Sequence, residues 1–241
     1  MRLNKYLVAC NIGSRRKCDE LIASDKVKVN GELATLGQEI GDNDKVYVDN
    51  ILVIPQEEKF YFMLNKPKGC ISTKSDDRGR TTVIDIFNLA YQKAYGKEKN
   101  IPNVNPIGRL DYNTQGLLFL TNDGDFANKI LHPKQKIPKT YKVLVYPHLT
   151  IENVDKLQKG VIIDGEKTLP SVVKILKNED KKQWIELTIT QGRNRQVRKM
   201  LECVGVTVNE LERIKVGKIG LNNLKRGEIR QLTKEEIENF K

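Results

Sequence analysis

Beyond residue 60 the chain is written mostly in strands. They are KFYFMLNKP (59–67), TYKVLVYP (140–147), GVIID (160–164), LPSVVKILK (169–177) and QWIELTIT (183–190). Helical patterns are fewer: DFANKILH (125–132), IENVDKLQKG (151–160) and NRQVRKMLECVG (194–205). A tail helix, TKEEIENF, opens with Thr233 and Glu236 in capping-box spacing. Strands and helices do not alternate, which argues against parallel βαβ units and predicts an α+β domain over 60–241 with a mixed, mainly antiparallel sheet. The polar stretch YQKAYGKEKN (91–100) reads as a surface insertion.

The first fifty residues follow another plan. LNKYLVAC and SRRKCDELIAS predict two short helices, the second opened by Gly13 and the N-cap candidate Ser14. KVKVNGELA alternates around Asn30-Gly31, a strong hairpin signal, and DKVYVD supplies another strand. IPQEEK (54–59) reads as a linker, so residues 1–53 form a separate small module of two helices and a small sheet.

Charge narrows the function. The chain carries 42 Lys+Arg against 31 Asp+Glu, a net +11, which calls for a polyanionic partner. No apolar run approaches the roughly 20 residues of a membrane span, so nucleic acid is the favoured partner and no membrane is expected. The start lacks a signal-peptide core, and the cytoplasm is the expected compartment. Four scattered cysteines without a C-x-x-C pair, and two histidines, predict no metal site. Neither a dinucleotide fingerprint nor a P-loop occurs.

Residues 1–50 hold eight basic and eight acidic residues, so the excess charge lies downstream. Within the module the basic residues come early, and Arg15, Arg16 and Lys17 at the start of the second helix are candidate phosphate contacts. Downstream, no acid falls between Phe126 and Ile151, or between Gln191 and Leu201. The first stretch holds Lys139 and Tyr141; the second, a glycine turn entering a basic helix, holds Arg193, Arg195, Arg198 and Lys199. Between Asp85 and Asp123 the only acids are Glu98 and Asp111. Asp111 stands before the apolar run Leu117–Leu120, which Asn122 and Asp123 end in a turn. It is a solitary carboxylate between basic neighbourhoods that could hold a polyanion around it. The plainer reading has Asp111 capping a turn toward Asn113 and Thr114.

GRLDYNTQGLLFLTNDG (108–124), KTYKV (139–143) and GRNRQVRKM (192–200) resemble the three motifs of the bacterial ribosomal RNA pseudouridine synthases of the RsuA and RluB branch. LNKPKGCIST and DDRGRTTVID resemble segments preceding the aspartate motif in the RluB subgroup. Residues 1–50 resemble the small S4-like RNA-binding module. The resemblance implies an isomerase that detaches uracil from its ribose, rotates it and rejoins it through carbon, in ribosomal RNA, with the large subunit (23S rRNA) favoured. The substrate is free RNA or a pre-ribosomal particle, a monomer is the default, and no cofactor is needed.

The resemblance also assigns roles. Asp111 is the implied nucleophile, with attack on C1′, attack on C6 and stabilisation of a glycal-type intermediate all left open. Tyr141 would stack on the base, Arg198 would pair with Asp111, and Arg109 would fill the gap left by the flipped nucleotide. A guanidinium within a few ångströms keeps a partly buried carboxylate ionised and oriented, which is the physical case for Arg198. Lys199 stands where relatives commonly carry a second arginine, which keeps the charge and loses the bidentate fork. The alternative is a non-catalytic ribosome-assembly factor on the same scaffold.

Overall fold

The computed structural model describes residues 1–56 and 58–240, and its contacts divide into two compact units, Met1–Lys59 and Phe60–Lys241. In the first, α1 (Leu3–Ala9) and α2 (Arg15–Ala23) precede β1 (Val27–Val29), β2 (Glu32–Leu33), β3 (Val46–Val48) and β4 (Ile51–Leu52). The sheet order is β2-β1-β3-β4. Ser14 Oγ caps α2 by accepting from Lys17 N at 3.2 Å. Asn30 and Gly31 both take positive φ, 53° and 94°, the mirror-image turn that matches strand twist and closes the Val29–Glu32 pair. Leu3, Leu7, Cys18, Ile22, Val27 and Val46 fill the interior.

The second unit opens with β5 (Tyr61–Lys66), α3 (Val83–Tyr95), β6 (Asn105–Pro106), β7 (Gln115–Thr121) and α4 (Gly124–Leu131). Then come β8 (Lys139–Tyr146), α5 (Ile151–Lys159) and the small hairpin of β9 (Ile162–Ile163) and β10 (Glu166–Lys167). The long strands β11 (Val172–Glu179) and β12 (Lys182–Ile189) lead to α6 (Gln196–Glu202) and β13 (Thr207–Val216). The chain closes with β14 (Ile219–Gly220), β15 (Ile229–Gln231) and α7 (Lys234–Glu238). One sheet runs β11-β12-β8-β13-β7-β5-β15, with β14 beside β13 and β6 beside β7. Among the described residues its single parallel ladder joins β13 to β7; the α+β reading holds.

Two apolar layers sandwich the middle of this sheet, which accounts for the uninterrupted Leu117–Leu120 run. Leu118 and Leu120 face a layer built with α3, α5 and α6, while Leu117 and Phe119 face another with α4 and Phe240. A strand buried on both faces has no polar alternation to show. Asp123 does end β7 as expected, and it also caps α4 by accepting from the backbone of Asp125 and Phe126. Thr233 and Glu236 form the expected capping box.

Two elements depart from the sequence reading. Residues 91–95 are no insertion: they finish α3, whose Val83, Phe87 and Tyr91 follow i, i+4, i+8 into the core. Tyr91 lies 5.9 Å from Phe62 and 4.6 Å from Tyr95 between ring centroids, and polar residues between these aromatics had masked the stripe. The long strand β13 was also absent from the sequence reading, because Glu210, Glu212 and Arg213 interrupt its apolar alternation and Arg213 occupies an interior position.

Candidate active site

Asp111 sits on the loop between β6 and β7, and that loop is held through the backbone of Leu110, Asp111, Tyr112 and Thr114. Ser72 Oγ donates to Leu110 O at 2.8 Å and accepts from Leu110 N at 3.0 Å. Lys66, fully buried at the end of β5, donates Nζ to Pro67 O (3.0 Å), Asp111 O (3.2 Å) and Thr114 O (2.9 Å). Gly69 N donates to Tyr112 O at 2.9 Å. The turn itself closes through the Asp111 carbonyl, which accepts from Thr114 N at 3.0 Å. The carboxylate is therefore not spent on capping that turn. Half-buried, it makes no hydrogen bond or ion pair among the described residues. Its charge acts on the ammonium of Lys66 and on Arg198.

The loop forms one wall of a cavity of about 400 Å³. The opposite wall comes from the start of β8, the end of β12, the turn into α6 and β13. Asp111 is the single carboxylate of the lining, against Arg109, Lys139, Arg193, Arg195 and Arg213. Tyr141, 8% exposed, projects from β8 into the same space. Lys139 Nζ bonds to Ile137 O at 3.0 Å, and burial, then the neighbouring Arg213, push its pKa below the usual lysine value.

Arg198 lies behind this wall on α6. Its Nη1 reaches Val208 O at 3.4 Å, and its Nε is buried without a hydrogen-bond partner. Burial and the nearby Arg195 hold its pKa below the usual arginine range, while the Asp111 charge opposes that shift. The two side chains thus interact electrostatically but form no ion pair among the described residues, so the close pairing expected from the sequence is not made.

The basic rim is unevenly occupied. Arg109 and Arg195 are exposed, Arg195 in the left-handed conformation (φ 50°) just before α6. Arg193 pairs with the Glu166 carboxylate, and Lys199 with Asp164 at 2.6 Å. Both acids belong to the β9–β10 hairpin. In the other unit, Arg15, Arg16 and Lys17 are exposed on the first turn of α2, Lys17 lying 3.4 Å from Glu20.

Residues 60–203 match the family model described as RNA pseudouridylate synthase, and residues 1–46 match that of the S4 domain. The chain belongs to the RNA pseudouridine synthase family. It is 44% identical to a Bacillus subtilis protein named ribosomal large subunit pseudouridine synthase B, over 100% of this chain and 95% of that one. The dual-specificity RNA pseudouridine synthase RluF of Escherichia coli K12 is 37% identical over 98% of this chain and 77% of its own. A solved pseudouridylate synthase superposes with a TM-score of 0.69 at 32% identity, each chain covered in full. RNA pseudouridine synthases are isomerases, and RNA is the substrate class. Among the described residues no helix is long and apolar enough to cross a membrane.

The structure brings Arg109, Asp111, Lys139, Tyr141, Arg193 and Arg195, each singled out in the sequence, to one cavity, whereas Arg198 and Lys199 do not line it. Lys66, Ser72 and Arg213 escaped the sequence reading, which was incomplete. Lys66 follows polar Asn65 at the end of YFMLNK, where a cation reads as the exposed end of a strand, and only the structure shows the carbonyls that allow its burial. Arg213 lay hidden in the charged stretch NELERIK.

Proposed function

We propose that the chain converts uridine to pseudouridine in ribosomal RNA of the large subunit, with Asp111 as nucleophile. The observation that carries this reading is the lone carboxylate, without a hydrogen-bond partner among the described residues and backed by buried Lys66, in a cavity whose other charged lining residues are all cations and which Tyr141 also lines. The reaction breaks C1′–N1 and forms C1′–C5; C5 gives up a proton and N1 gains one, so atoms balance without a co-reactant. Attack on C1′, attack on C6 and a glycal-type route all place an ionised carboxylate beside the nucleotide, which the rigid loop provides.

In this reading the target base leaves its stack to enter the cavity, at a cost of a few kcal/mol. Tyr141 supplies the flat face that receives it, and exposed Arg109, two residues before the nucleophile, fills the vacated gap. Arg198 closes onto Asp111 when RNA is bound, using the Nε that now lacks a partner. Arg195, Lys139, Arg193 and Lys199 hold the surrounding backbone, and Arg15, Arg16 and Lys17 anchor a second stretch of RNA through residues 1–53. The full names of the relatives support a large-subunit target, either free RNA or a pre-ribosomal particle. The chain acts as a monomer in the cytoplasm, and no cofactor enters the scheme.

The test is carbodiimide labelling with primer extension on large-subunit RNA treated with wild-type protein or Asp111→Asn. A stop present only with wild type is the expected result, with RNA binding retained by the variant. Binding without any stop, on free RNA and on assembling particles of either ribosomal half, would overturn the reading in favour of an assembly factor.

A further inference from the structure

Arg213 has no role in the scheme above, yet it is the most deeply buried cation of the cavity, 6% exposed. Its Nε donates to Leu117 O at 2.7 Å, which fixes the side chain across the parallel junction of β13 and β7. That junction is unusually close. A Cβ on Gly116 (φ 109°) would lie 2.3 Å from Arg213 O, so only glycine is accommodated there. The two Nη groups donate to no protein atom among the described residues, and neither is sealed from solvent. Their open side is the cavity that the residue lines. In the antiparallel ladder with β8, Arg213 stands directly opposite Tyr141. Lys139, two residues before Tyr141 on β8, lines the same cavity and adds a second cation.

A guanidinium held nine-tenths buried, with its terminal donors unpaired by protein among the described residues and a second cation nearby, carries a desolvation cost that an electron-rich ligand group in the cavity relieves. Two parts of a bound nucleotide could supply one. The phosphates stay with the RNA backbone at the mouth, where exposed Arg109 and Arg195 already stand. The base goes to the depth of the cavity, against Tyr141.

Resting on the proposed isomerisation, we propose that Arg213 donates through Nη to a carbonyl oxygen of the flipped uracil and holds the negative charge that collects there during reaction. The charge arises by each open route. Cleavage of C1′–N1 leaves its electron pair on the base, delocalised over N1, O2 and O4, and addition at C6 pushes a pair onto O4. Re-forming the bond through C5 returns that pair to carbon, and no external oxidant or reductant enters. Donors fixed before the charge develops are the most effective kind, and losing one costs about 10²–10³ in rate.

The experiment compares single-turnover rates at saturating RNA for wild type, Arg213→Gln and Arg213→Lys on a stem-loop containing the target uridine. Arg213→Gln keeps a donor for Leu117 O without the charge; Arg213→Lys keeps the charge without the fork. Expected are a loss of about 10²–10³ for Gln, a smaller loss for Lys, and little change in RNA affinity for either. A wild-type measurement stands beside these, so that a misfolded variant cannot blur the answer: RNAs carrying 2-thiouridine or 4-thiouridine at the target, whose sulfur accepts hydrogen bonds poorly. One of the two should react markedly more slowly in the wild-type enzyme. Equal rates on both thio-substrates and on uridine, or a Gln variant weakened in RNA affinity alone, would place Arg213 on a phosphate and overturn the proposal. A wild type inactive on every RNA would instead overturn the isomerase reading.

Discussion

The Asp111 loop and the basic turn at 192–199 face the same cavity and are built on opposite principles. The loop is fixed by uncharged backbone atoms bonded to buried side chains: Ser72 on both polar groups of Leu110, Lys66 on two carbonyls of the turn. The turn has one such bond, Arg193 N to Oε1 of buried Gln196 at 3.0 Å, and its cations are otherwise held by ion pairs to the β9–β10 hairpin, whose acids Asp164 and Glu166 are exposed. Buried hydrogen bonds are costly to break, whereas exposed ion pairs contribute about 0–1 kcal/mol and exchange freely. One region holds the proposed nucleophile in a single geometry. The other keeps its cations against carboxylates that the phosphates of the proposed substrate would replace.

Removing Lys66 should expose that contrast most sharply. Lys66→Met keeps the apolar stem but removes Nζ from three carbonyls: among the described residues Thr114 O is left without a donor, while Asp111 O keeps Thr114 N and Pro67 O keeps Cys70 Sγ. One stranded carbonyl and two further charge-assisted hydrogen bonds lost give an expected loss of about 3 kcal/mol of stability. Activity should fall to background as the loop loosens and the cation behind the carboxylate disappears. Urea denaturation and the primer-extension assay read the two effects. Unchanged stability and activity would mean that the loop is held elsewhere. Ser72→Ala should act in the same direction with a smaller effect, about 2 kcal/mol, since it strands one donor and one acceptor of Leu110. Its signature is a lowered kcat with RNA affinity intact.

The same contrast explains what the sequence could and could not disclose. Asp111, Tyr141 and the basic turn stood out because an isolated carboxylate and acid-free runs of cations are visible in the order of residue types alone. The small N-terminal sheet was legible because Asn30-Gly31 dictates its turn. Lys66 and Ser72 were not legible as parts of the site, since their ligands are backbone carbonyls and amides that any residue supplies. Which carbonyl a buried lysine meets depends on strand register, here β5 against β7 over Tyr61–Lys66, and composition carries no trace of it. Arg213 was hidden twice, by a charged strand that does not alternate and by a glycine, Gly116, whose need appears only when two distant strands meet. The Asp111–Arg198 geometry departed from expectation for a related reason: residue types specify who can pair, while the distance is set by where α6 packs.

Freeing the basic turn should produce the smallest effect on the fold and the clearest on binding. In the double variant Asp164→Asn, Glu166→Gln, Arg193 and Lys199 lose their acidic partners while the hairpin keeps its backbone pairing. Stability should change by no more than about 0.5 kcal/mol, the ordinary range for surface positions. RNA affinity should rise, because two cations no longer have to leave a carboxylate before meeting a phosphate. The gain should be largest at low salt and shrink as salt rises, since each added phosphate contact steepens the dependence of log K on log salt by about 0.7–0.9. A filter-binding series from low to moderate salt measures that slope for the two proteins side by side. An unchanged slope would show that Arg193 and Lys199 serve the hairpin rather than the RNA, and the basic turn would then be a second fixed wall instead of an exchangeable one.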